Sequence, residues 1–264
     1  MHTITSADGT AIAYERGGNG PPLVLVHGTA GDHTSWDAIR PTLEAHATVY
    51  TLDRRGRGES GDADEYSLER EAEDVAAVVD SLDEPVTLLG HSFGALCALE
   101  AALRTDNLQS LVLYEPTVLR SADGLYSAAV ADDIEALLAD DRNEEALLVF
   151  LREVVDGLSE DGITSLQSSD VWPERVEAAQ TVLREYRTLA DYEFDTAQRR
   201  GVTVPTLLLV GGESPTADKE TAAHLDETLP NSRIAVLEGQ THLAYYDAPD
   251  LFADEVLQFV RESR

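Results

Sequence analysis

Residues Gly90-His91-Ser92-Phe93-Gly94 put one hydroxyl between two glycines, directly after the apolar run Pro85-Val86-Thr87-Leu88-Leu89. A free serine is a weak nucleophile. To attack a carbonyl carbon it needs a base for its proton and donors for the oxygen that becomes negative. The local pattern is suited to presenting it: the apolar run reads as a buried strand, and Phe93 to Arg104, rich in Ala and Leu, reads as a helix. A serine on the sharp turn between them takes a strained backbone conformation, and flanking glycines make room for it. This context, more than the five residues alone, makes Ser92 the candidate nucleophile.

The elements that must position it alternate along the chain. His2 to Ser6 and Thr10 to Glu15 read as strands joined at Asp8-Gly9, a hairpin turn signal. A buried strand is expected at Pro22 to Val26, and further strands at Thr48 to Leu52, Val86 to Leu89, Ser110 to Tyr114, Val204 to Val210 and Arg233 to Leu237. Trp36 to Ala45 and Pro249 to about Arg261 read as helices. So does Ser67 to Leu82, where Leu68, Ala72, Val75, Val79 and Leu82 recur at helical spacing with acids expected on the outer face. Apolar strands alternating with helices predict an α/β fold with a mostly parallel, eight-stranded sheet covered on both faces. Residues 117–198 break the rhythm: helical patterns at Asp132 to Leu138, Glu144 to Leu158 and Pro173 to Leu189 occur without a buried strand. They predict a helical lid over the C-terminal ends of the strands, inserted into a core of 1–116 and 199–264.

Composition narrows the function. The chain has 264 residues, 43% of them hydrophobic, enough for a sizeable core in one α/β unit. It starts without a basic, apolar leader, and no apolar run reaches the roughly 20 residues of a membrane span, so a soluble, cytoplasmic protein is expected. Its single cysteine, Cys97, excludes an internal disulfide and a multi-cysteine zinc site, and reads as a small core residue. Fifty acids against 19 basic residues give a formal net charge of −31, and Lys219 is the only lysine. Such a chain is repelled by nucleic acid and by anionic membranes, so neither is an expected partner. The composition resembles that of proteins from the salt-rich cytoplasm of extreme halophiles, where a Debye length of about 3 Å at 1 M salt screens the self-repulsion.

Four segments together resemble the α/β-hydrolase superfamily over essentially the whole chain. They are Val26-His27-Gly28-Thr29, Leu52-Asp53-Arg54-Arg55-Gly56-Arg57-Gly58-Glu59-Ser60, Gly90-His91-Ser92-Phe93-Gly94 and Gly239-Gln240-Thr241-His242. The resemblance implies that Ser92 is the nucleophile of a catalytic triad and His242 its base, completing the chain order serine, acid, histidine. His91 adjoins the nucleophile and is expected to point away; His2, His33, His46 and His224 lack the motif context. The oxyanion hole is expected from the backbone N–H groups of Phe93 and Thr29. His27 is read as loop support, and Gly28 lets that loop approach the substrate. Residues Asp53 to Ser60 are expected to brace loops.

The acid departs from the commoner pattern of the superfamily. After the seventh strand, Leu209-Val210-Gly211-Gly212-Glu213-Ser214 puts Ser214 where many relatives have Asp. Glu115, directly after the sixth strand and before Pro116, occupies the alternative place known in part of the superfamily, with Glu213 and Asp218 as the other candidates. The resemblance then implies a serine hydrolase cleaving an ester, thioester or lactone of a small acyl substrate, with no metal or organic cofactor. Carbon–carbon bond hydrolysis, cofactor-free perhydrolysis and slow-turnover ligand reception remain as alternatives. Serine in place of Asp at the turn argues against the epoxide hydrolase and dehalogenase members. Trp172, Tyr186 and Tyr192 are candidate pocket walls or lid core.

Overall fold

A computed structural model of the chain describes residues 1–118, 126–155 and 158–264. The described strands are β1 His2–Thr5, β2 Ala11–Gly18, β3 Pro22–Val26, β4 Thr48–Leu52, β5 Val86–His91, β6 Leu108–Tyr114, β7 Thr206–Gly211 and β8 Ser232–Leu237. They form one sheet in the order β1-β2-β4-β3-β5-β6-β7-β8. The first pair and the β2–β4 pair are antiparallel; every other pair is parallel. The expected α/β sheet of eight strands is therefore the one observed.

The two faces follow from the period-two alternation of the strands. On β3, Leu23 and Leu25 join a core with Trp36, Ile39, Phe252 and Val256, whereas Val24 and Val26 join the opposite core. That opposite core is closed by α2 (Leu68–Asp80) and α3 (Phe93–Ala101). Ser67 caps α2 by accepting from the Arg70 amide, as its type and position favour.

Two expectations are corrected here. The helix expected over Trp36 to Ala45 is broken into a 3₁₀ turn, His33–Trp36, and a short α1, Arg40–Glu44. Pro41 lacks an N–H and is tolerated only in a first turn, so it starts a helix there and does not continue one. The acids of α2 are not all on its outer face either: Glu71 and Asp74 are buried, because Arg54 and Arg55 are buried opposite them. Arg54 donates to Glu71 at 2.7 and 3.1 Å, and Arg55 to Asp74 at 2.7 and 2.8 Å. Burial pushes the Glu71 carboxyl up, but Arg54 and Arg57 outweigh it and hold the group below its ordinary range.

Between β6 and β7 lie α4 Ala128–Ala139, α5 Asn143–Glu153, α6 Glu160–Gln167, α7 Trp172–Glu177, α8 Ala179–Asp191 and α9 Thr196–Arg199. The expected single helix from Pro173 is split at Ala178, and the expected run from Glu144 ends at Glu153. These helices bury their own apolar cluster, with Ile134, Leu147, Phe150, Leu166, Trp172 and Val182. Arg54 ties them to the core by donating to Glu185 of α8 at 2.8 Å. Arg57 pairs with Glu185 as well, and burial beside Arg54 pushes Arg57 down to about 10. The fold is completed by α10 Thr216–Thr228, α11 Ala244–Asp247 and α12 Pro249–Glu262. No described helix is long and apolar enough to cross a membrane.

Candidate active site

The strand order reverses around β3: β4 lies on one side of it and β5 on the other. At such a switch point the loops leaving adjacent strands diverge, and a crevice opens at their carboxyl ends. The loop His27-Gly28-Thr29 leaves β3 there, and Ser92 leaves β5 beside it.

Ser92 has φ 55° and ψ −124°, a strained conformation for a residue with a side chain. Its amide donates to the Tyr114 carbonyl of β6 at 2.9 Å, which holds the turn against the sheet. Gly94 is required by contact as much as by flexibility, because a Cβ there would collide with the carbonyls of Val26 and His27. Gly28 is similarly constrained: an added Cβ would sit 3.2 Å from the Ser92 Cβ and 3.1 Å from the His91 ring. The β3 loop thus runs directly past the serine. Phe93 opens α3, where a first-turn amide has no intrahelical acceptor, and Thr29 lines the same cavity as Ser92.

His27 is buried and serves the loop. Its Nδ1–H donates to the Gly28 carbonyl at 2.8 Å, and its Nε2 accepts from the Arg54 amide at 3.1 Å. Burial holds its pKa well below the ordinary value, in keeping with that neutral ring. Asp53 performs comparable bracing, accepting from the amides of His33 at 2.8 Å and Glu59 at 3.0 Å.

Glu115 reaches His242 across 127 residues of sequence. The Nδ1–H of His242 donates to Glu115 Oε2 at 2.5 Å. The other carboxylate oxygen accepts from the Gly211 amide at 2.8 Å and from the Ser214 hydroxyl at 2.5 Å. Burial pushes the Glu115 carboxyl up, but His242, Ser214 and Gly211 together overcome it and keep the group below its usual range. Its backbone is set at φ 45°, with its amide donating to the Leu209 carbonyl of β7 at 3.1 Å. Of the other candidate acids, Glu213 is exposed on the loop after β7 and Asp218 is buried on α10. The carboxylate on His242 Nδ1 is that of Glu115.

Three contributions were not legible in the sequence. His91 does not point away: its Nε2–H donates to the His242 carbonyl at 2.9 Å, and the two rings lie 4.5 Å apart between centroids. Tyr114 donates its hydroxyl to the Thr241 carbonyl and accepts from the Ala244 amide at 3.1 Å, anchoring the His242 loop from both sides. Ser214, noted only as an uncharged replacement, orients the carboxylate.

Ser92, His242, Thr29 and Gly28 open onto one cavity of about 220 Å³, roofed by Phe150 and Leu166 of the inserted helices and walled by Tyr245. Trp172, Tyr186 and Tyr192 are not among its lining residues; Trp172 packs inside the inserted cluster. Residues 23–255 match the sequence profile of the alpha/beta hydrolase family. The chain belongs to that family. Its solved α/β-hydrolase relatives include a hydrolase from Sphaerobacter thermophilus, 35% identical with a TM-score of 0.86, covering 98% of this chain and 100% of that one. An esterase from Exiguobacterium antarcticum is 25% identical with a TM-score of 0.81, covering 98% of each chain. Among curated hydrolases, the pimeloyl-[acyl-carrier protein] methyl ester esterase of Aeromonas hydrophila is 29% identical over 95% of this chain and 99% of its own length.

Proposed function

We propose that the chain is a serine hydrolase that cleaves a carboxylic ester through an acyl-enzyme on Ser92. The observation that carries this reading is the buried contact from Glu115 Oε2 to His242 Nδ1 at 2.5 Å, on the cavity that Ser92 enters. A carboxylate on Nδ1 fixes the tautomer that leaves Nε2 free to accept a proton. In the reaction, Ser92 Oγ bonds to the carbonyl carbon while His242 Nε2 takes the hydroxyl proton. The carbonyl oxygen becomes an oxyanion held by the Phe93 and Thr29 amides. The C–O bond then breaks, and the alcohol leaves with the proton from His242. Water repeats the sequence on the acyl-enzyme, giving up a proton to His242 and releasing the acid and Ser92. The helices in 117–198 act as a lid, excluding bulk water from this cavity. The names of the relatives favour an ester over a thioester or lactone.

Labelling tests the reading. A phosphonate ester is expected to form a single adduct on the peptide carrying Ser92 and to abolish p-nitrophenyl ester turnover in step with its formation. Turnover that survives complete labelling, or an adduct on another residue, would overturn it.

The net charge of −31 adds a second expectation, that the enzyme works in a salt-rich cytoplasm. Raising KCl shortens the Debye length from about 10 Å at 0.1 M to about 3 Å at 1 M, which relieves repulsion among the acids. Activity and melting temperature should therefore rise together over that range. A chain most stable in dilute buffer would contradict a halophilic origin.

A further inference from the structure

The cavity contains one cation that the proposed hydrolysis does not use. Arg175, on α7, is the only arginine or lysine among its described lining residues. Other arginines of this acid-rich chain end on carboxylates: Arg54 on Glu71 and Glu185, Arg55 on Asp74, Arg187 on Glu135. Among the described residues Arg175 forms no ion pair. Its Nη1–H reaches the Ala30 carbonyl only at 3.4 Å, its Nε is buried without an acceptor, and its other neighbour is the neutral Tyr245 hydroxyl, with no carboxylate in contact. A guanidinium carries five N–H donors in a planar fork shaped to receive two carboxylate oxygens, and among the described residues no carboxylate fills that fork here. Beside it stands Tyr245, whose hydroxyl burial pushes up and Arg175 draws down. The acids of the same cavity, Asp37 and Asp247, are exposed, and neither pairs with it.

We infer that Arg175 selects substrates by pairing with a carboxylate on the acyl part, so that the preferred substrates are half-esters of small dicarboxylic acids. This rests on the hydrolase reading above. The acyl side follows from position and timing. Arg175 touches Ala30, the residue after Thr29, and so sits on the side where the carbonyl oxygen is held. A contact to the acyl group persists after the alcohol has left, orienting the carbonyl in both halves of the reaction; a contact to the leaving group would help only the first. Molar salt suits such a site, because it screens the long-range repulsion of an anion by this acidic chain while a buried contact pair is screened much less. The cavity, at about 220 Å³, falls below the roughly 300–1000 Å³ of drug-sized ligand pockets, which fits a short diacid.

The test compares mono-p-nitrophenyl glutarate with p-nitrophenyl valerate, which match in length and differ in the terminal carboxylate, at one fixed molar KCl concentration. Wild type is expected to favour the glutarate. In Arg175→Gln the ratio of kcat/KM for glutarate over valerate should fall roughly 10- to 100-fold, mostly through KM, as expected for losing a charge-assisted contact. Arg175→Lys, which keeps the charge and loses the fork, should retain part of the ratio. Free glutarate should raise the melting temperature of wild type and leave that of Arg175→Gln unmoved, a readout independent of turnover. An equal loss on both esters would assign Arg175 to holding the Ala30 loop and overturn the inference. So would a wild type with no glutarate preference and no glutarate stabilisation. If neither ester is hydrolysed, the hydrolase reading fails, and the melting shift alone decides the role of Arg175.

Discussion

Ser92→Ala is expected to fold as the parent does and to lose p-nitrophenyl ester hydrolysis by roughly 10⁵- to 10⁶-fold, the scale at which removing a triad serine acts. The fold should tolerate it because alanine keeps the Cβ and removes only an oxygen that bonds to nothing among the described residues. The positive φ of 55° costs serine and alanine alike, and the Ser92 amide keeps its bond to Tyr114. Chemistry should not tolerate it, since no other hydroxyl is placed on the turn between β5 and α3. A residual rate of about 10³- to 10⁴-fold over water would come from binding and the oxyanion amides. Activity retained in pure Ser92→Ala protein would remove the nucleophile from the proposal.

The second large effect concerns the acid. Glu115→Gln should fold, because the amide oxygen can still accept from Gly211 and Ser214, yet lose about 10⁴-fold in turnover. The amide N–H₂ facing Nδ1 would favour the imidazole tautomer with its proton on Nε2, where it blocks proton acceptance from Ser92. Glu213→Gln and Asp218→Asn, made in parallel, should cost far less. A further variant adds directional content: Ser214 Oγ lies 2.5 Å from Glu115 Oε1, so Ser214→Asp in the Glu115→Gln background places a carboxylate next to the lost one and should recover part of the rate. If Glu213→Gln is crippling and Glu115→Gln nearly silent, the acid assignment is wrong. The pH sign is fixed by the lowered pKa of Glu115: its contribution to stability is complete above the ordinary carboxylate range and is lost as pH falls through the lowered value.

Much of the architecture was legible because it is local. Pro22 to Val26 is apolar throughout and Thr48 to Leu52 is uncharged and rich in β-branched residues, and strands buried on both faces have such compositions. Asp8-Gly9 specified the hairpin, and Ser67 marked the start of α2 through its own capping oxygen. Where a residue's role depended on partners distant in sequence, reading failed. Glu71 and Asp74 look like surface acids by type and spacing, and are buried only because the loop after β4 drives Arg54 and Arg55 into the same space.

The candidate site divides along the same line. Ser92 with its glycines is one contiguous segment, since a strained turn between strand and helix is built from neighbours, and the sequence by itself determined where that turn would be. Which carboxylate meets His242 was decided only by the tertiary structure. Glu115, Glu213 and Asp218 were equal in charge, and the choice turned on β6 lying between β5 and β7. That order brings Gly211 and Ser214 onto one oxygen of Glu115 and His242 onto the other. Arg175 is the extreme case: nothing around Glu174 and Val176 distinguishes it from other surface arginines, and only the packing of α7 over the β3 loop turns it toward the cavity. Backbone conformation is set by adjacent residues, whereas hydrogen-bond partners across a sheet are set by strand order, a property no single segment encodes.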